Sequence, residues 1–311
     1  MFLSNRIMII LALIITPGLF INCNKISMIN NISQRNQINI QLNDSSYRNS
    51  VLMDNPYITV DSIWKDEIVI KGVAVVKKGV TLKILPGTTI RFIKIDSNND
   101  NIGDGELVIE GKINAVGTFE KPIIFTSAEK NPAKKDWTYL YIERNQNFLI
   151  ENCIFLYAFT GLQVHYSEGE IKNSLFENNY EGLRYSTVKI LIKNNTFRYN
   201  DYGIRFEDRR SDAEISYNEI SQNNCGVFAV MRSTKTGNKI YNNNIYNNYK
   251  YNFLFGIEQK DDLSAISNWW GTDNIESIEN QIFDKKDDTG LGILEYYPFL
   301  NKKIENAGCG R

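Results

Sequence analysis

One feature restricts this chain more than any other: a segment that returns at nearly constant spacing. Ile150-Glu151-Asn152-Cys153-Ile154-Phe155 reappears as Ile171-Lys172-Asn173-Ser174-Leu175-Phe176 and as Ile192-Lys193-Asn194-Asn195-Thr196-Phe197, each copy 21 residues after the last. A Gly-Leu or Gly-Ile pair follows each copy at Gly161, Gly182 and Gly203. Looser copies begin at Ile215, Ile240 and Ile266. Apolar runs inside the repeat are short and alternate with turn residues. This excludes helical repeats, which need long stretches of 3.6-residue period. A coil of 21 to 26 residues holding three short strands is the unit of a parallel β-helix. Like side chains then stack at about 4.8 Å, which is why they recur at a fixed offset.

The composition agrees. Asn occurs 39 times in 311 residues, and Tyr and Phe 17 and 16 times, a bias toward strands and turns. The column Asn152, Asn173, Asn194 is expected at a tight corner, because Asn tolerates the left-handed conformation. Entry coils are read at Val80–Phe92, Glu106–Thr118 and Pro122–Ser127, with Leu82 over Leu107 and Ile84 over Ile109. Asp54–Ile70 and Asn268–Pro298 are expected to cap the two ends, since a terminal coil otherwise exposes its edges. The paired Trp269 and Trp270 are read as cap packing or, alternatively, as a sugar-stacking platform.

The first 22 residues look like an export signal: Arg6, an apolar run Ile7–Ile15, then Thr16-Pro17-Gly18. The stretch Leu19-Phe20-Ile21-Asn22-Cys23 resembles a relaxed bacterial lipobox, which makes Cys23 the candidate lipidation site. Expected boundaries are 1–22 for the signal, 23–55 for the lipidated Cys and a flexible tether, 56–300 for the β-helix with its caps, and 301–311 for a tail. The expected location is the cell envelope, membrane-anchored through the lipid, at the outer membrane, the cell surface or the periplasm.

Taken together, the Val80-Thr81-Leu82-Lys83-Ile84-Leu85-Pro86-Gly87 opening, Pro122-Ile123-Ile124-Phe125-Thr126-Ser127, the Ile-x-Asn repeats and Asn268-Trp269-Trp270-Gly271-Thr272 resemble the right-handed parallel β-helix repeat proteins of bacterial surfaces and secretions. The resemblance covers about residues 57–300. It implies an all-β solenoid but no particular activity, because this scaffold carries lyases, hydrolases, epimerases and adhesins alike.

Charge and motif content exclude several functions. Net charge is -1, so nucleic acid is not an expected partner. The single His165 excludes multi-histidine metal sites. Cys153 and Cys225 read as small core residues. Strand alternation from the repeat glycines points Leu162, Leu183 and Ile204 inward and Gln163, Arg184 and Arg205 outward, with His165 and Glu207 two residues further on. Arg184 and Arg205 then stack one coil apart and repel unless something anionic lies between or beside them, a place that Glu207, Asp208 or an acidic ligand can fill. The leading expectation is a binding or structural module with glycans, or another surface protein, as partner. The alternative is a polysaccharide lyase or hydrolase that works on an acidic glycan through Arg184, Arg205 and Glu207. No cofactor is expected. The oxygen-rich loop carrying Asp96, Asp100 and Asp104 is the candidate metal loop, with Ca2+ as the ion it would take.

Overall fold

The computed structural model describes residues 50–208, 210–231, 237–256 and 259–311. Strands follow one another in the order first, second, third sheet, and each pairs in parallel with its counterpart one coil on. The described residues form sheets of nine, ten and eight strands, plus a two-stranded pair at the C-terminal end. The expected all-β parallel solenoid is what forms. The signal segment, Cys23 and most of the tether lie outside the described residues.

Inward side chains make the stacked columns that the repeat spacing requires. Ile150, Ile171, Ile192 and Ile215 stand in one register, and Leu162, Leu183, Ile204 and Val227 in another. All eight are buried. Phe125, Phe155, Phe176 and Phe197 stack ring on ring at 4.8, 4.7 and 4.7 Å. Such pairs contribute about 0.5–1.5 kcal/mol each beyond their burial. Cys153 and Cys225 are free and buried among these columns.

Corners use left-handed residues. Asn152, Asn173, Asn194, Tyr217 and Asn242 have φ between 50° and 57°, as do Asn178, Tyr199, Gln222 and Asn247 at a second corner. Asn at the first corner is therefore where its conformational tolerance is needed. The hydrogen-bonded amide ladder, however, stands one residue later. The backbone N–H of Ser174, Asn195, Asn218 and Asn243 donates to the side chain of Asn195, Asn218, Asn243 and Asn268 in turn, at 2.8–3.0 Å. A second ladder runs through Asn179, Asn200, Asn223 and Asn248. Both are buried.

Three sequence expectations need correction. Leu82 pairs with Ile113 and Ile84 with Ala115, whereas Leu107 and Ile109 belong to a different sheet. The loop around residues 96–105 lengthens that coil, so a constant offset misjudges the register. The strand Ser50–Asp54 pairs with Glu67–Lys71, so the solenoid begins ahead of the boundary at 56. Residues 301–311 are not a free tail. Ile304 N–H donates to Asn244, Gly308 N–H to Tyr217 O, Cys309 N–H to Thr196 and the Arg311 guanidinium to Asn173 O and Phe119 O. The segment thus runs back along the nine-stranded sheet.

Candidate functional site

The outward face of the ten-stranded sheet brings the candidates together. Gln163, Arg184, Arg205 and Phe228 pair in one row across four coils, and His165 pairs with Ser186 two residues on. Glu207 lies two residues beyond Arg205.

A β-bulge adds a group that alternation does not foresee. Tyr139 and Leu140 pair with Thr160 and Leu162, skipping Gly161. Gly182 and Gly203 occupy the same place in the next coils. The extra residue reverses alternation, so Glu181 and Arg184 face the same way despite their odd spacing. Only Gly fits there: a Cβ on Gly182 would sit 2.6 Å from the Gly203 carbonyl oxygen. The one signal in the sequence was the Glu before a repeat glycine, in a column with Thr160 and Tyr202.

Glu181 is fully buried and closes an ion network. Its Oε1 accepts from Arg205 Nη1 at 2.5 Å, and its Oε2 accepts from Thr160 Oγ1 at 2.8 Å and lies 3.9 Å from Arg184 Nη1. Glu207 Oε1 accepts from both guanidinium groups, at 2.8 Å from Arg184 Nη2 and 2.7 Å from Arg205 Nη2. Glu207 therefore occupies the bridging position that an acidic ligand would otherwise take. The Asp208 side chain lies outside the described residues. Two cations and two carboxylates leave this cluster neutral, while the Nε–H of each arginine is buried without a partner.

These surroundings set the protonation states. Burial pushes the Glu181 carboxyl up, but Arg205, Arg184 and the Thr160 hydroxyl outweigh it and hold the group below its ordinary range. Burial, then the nearby Arg184 charge, lowers His165 to about 4, against a small opposing pull from Glu207. His165 is thus neutral at neutral pH, 3.2 Å from the Gln163 amide and edge-on to Tyr141.

Beside the ion network runs a stripe of rings: Phe159 stacks on Tyr180 at 4.9 Å, Tyr180 meets Tyr202 edge-on at 5.7 Å, and Tyr202 stacks on Phe228 at 5.1 Å. All four are half-buried. Their irregular spacing hides the stripe from a search for identical residues.

Residues 127–282 match the family model for the right-handed β-helix region, and residues 57–147 match that of the pectate-lyase-like β-helix domain. The chain belongs to the right-handed β-helix family. No curated protein matches it. Among solved structures, a point mutant of the periplasmic alginate epimerase AlgG aligns over 78% of this chain and 73% of that one, at 12% identity and a TM-score of 0.40.

The remaining candidates lie elsewhere on this β-helix. Trp270 is buried in the C-terminal cap, edge-on to Tyr296, so it offers no platform for a sugar. Trp269 is half-buried against Tyr246 at 4.7 Å. An open pocket of about 630 Å³ at this end is lined by Trp270, Tyr249, Asn280 and Gln281 among others. Asp96, Asp100 and Asp104 accept hydrogen bonds from their own loop, at Asp100 N, Asn101 N, Ile102 N and Ser97 N. No group of three or more metal-ligating side chains occurs among the described residues. Nor is any helix among them long and apolar enough to cross a membrane.

Proposed function

We propose that the protein is an exported, lipid-anchored β-helix module that binds polysaccharide on the outward face of its ten-stranded sheet. The observation that carries this reading is the ring stripe Phe159–Tyr180–Tyr202–Phe228 lying beside Gln163, His165, Arg184, Arg205 and Glu207. Sugar chains present C–H patches and hydroxyls together. An apolar stripe flanked by fixed donors and acceptors complements both. The ion network orients these groups rather than supplying free charge.

Tyr180→Ala is expected to weaken binding to oligosaccharides at least about tenfold, the loss of roughly 1.4 kcal/mol of ring contact. The change is measured by titration of the purified 24–311 fragment. Retained affinity moves the ligand away from this face, with the Trp269 end as the next place to look.

Cys23 supports the anchored part of the reading. Cys23→Ala is expected to shift the protein from the membrane to the soluble fraction, because the acyl chains and not the fold hold it there. Unchanged partition into detergent rejects lipidation.

The lyase alternative, acting through Arg184, Arg205 and Glu207, has less behind it: both guanidinium groups are already paired with Glu181 and Glu207, and a His165 lowered to about 4 is a weak base. Release of an unsaturated sugar by wild type, abolished in His165→Ala, replaces the binding reading with that one.

A further inference from the structure

We infer that Lys135 is the residue by which this face selects acidic over neutral glycans. The inference rests on the polysaccharide reading and changes which cation carries the selectivity. Arg184 and Arg205, the cations that the repeat spacing singles out, are matched by Glu181 and Glu207 and carry no spare charge. Lys134 is paired with Asp201 at 3.3 Å. Lys135 differs. Its ammonium lies 4.4 Å from the Tyr180 ring centre and 6.0 Å from that of Phe159. Among the described residues it has no carboxylate within ion-pair distance.

Its backbone is held in place before any ligand arrives. Lys135 is left-handed, with φ 72°, and its carbonyl accepts from Gly103 N–H at 2.8 Å. The next residue, the buried Asp136, accepts from Ala133 N–H and Ser127 Oγ and pairs with Lys94, each at 2.9 Å. The turn is thus pinned on both sides, and it sets one uncompensated positive charge over the rings. Contact with ring faces leaves an ammonium's other N–H donors open. A carboxylate or sulfate on a sugar packed along the stripe takes them in charge-assisted hydrogen bonds.

The test uses a matched pair of probes, polygalacturonate and its methyl ester, which share a backbone and differ in charge. Wild type is expected to prefer the acid form. Lys135→Met is expected to weaken binding to polygalacturonate about tenfold, the scale of one partly desolvated ion pair, while the ester binds as before. Lys135→Arg restores most of the preference. Added salt erodes the wild-type preference and has little left to erode in Lys135→Met. An unchanged acid-to-ester affinity ratio in Lys135→Met overturns the inference even if both polymers bind. If neither polymer loses affinity in Tyr180→Ala, the polysaccharide face itself is wrong and the inference falls with it. Unchanged thermal unfolding of Lys135→Met shows that the comparison is made on a folded protein.

Discussion

Glu181→Ala is expected to cost about 3–5 kcal/mol of stability, the range for removing one partner from a buried ion network. Its carboxylate has no exposed surface, and the Arg184 and Arg205 side chains are only 11% and 13% exposed. Without Glu181 both guanidinium groups share Glu207 alone. Thr160 loses its acceptor as well. Glu181→Gln keeps the shape and an acceptor for Thr160, so its cost should be smaller. The pH dependence follows from the lowered pKa of Glu181. A carboxyl that ionises more readily in the folded state stabilises the fold above its unfolded value, near 4.5. That contribution is lost as pH falls through the folded value. The stability gap between wild type and Glu181→Gln should therefore hold from neutral pH to about 5 and close below 4.5. Urea unfolding at a series of pH values measures it. Equal midpoints at pH 7 would show that the network adds nothing.

Asn218→Ala is expected to be comparably damaging, at roughly 2–6 kcal/mol for two orphaned backbone groups. Asn218 accepts from Asn195 N–H at 2.9 Å and donates to Ile192 O at 2.9 Å, with no exposed surface. Alanine fills neither role, so the two groups are left buried without these partners. Coils of a solenoid are held mainly by their neighbours, so a break here loosens the coils on both sides. Asn194→Gly, at the corner in the preceding coil, is the control. Its φ of 55° suits Gly without strain, so a change within about 1 kcal/mol is expected. Thermal unfolding of both variants separates the buried ladder from the left-handed corner. Equal midpoints for the two would place the ladder's contribution elsewhere.

These two sites differ in how far the sequence reveals them. The columns Ile150–Ile171–Ile192 and Leu162–Leu183–Ile204 are visible because stacking like on like repeats a residue at the coil length. The corner asparagines are visible because few residues accept a positive φ. Arg184 and Arg205 were legible as neighbours for the same reason. Glu181 was not, because alternation assigns it inward and only the bulge at the repeat glycines turns it toward the arginines. The entry-coil register failed where the loop around 96–105 lengthens one coil.

The lateral face divides along the same line. Offset and alternation, both properties of the chain's own period, determine the solenoid, its core columns and the outward rows. Which carboxylate meets which guanidinium is decided by the bulge and by distances between coils. Those same distances neutralise Arg184 and Arg205 and, among the described residues, leave Lys135 over the rings without a carboxylate partner. Such pairings join residues tens of positions apart whose spacing follows no period, because they depend on backbone geometry that exists only once the coils have stacked.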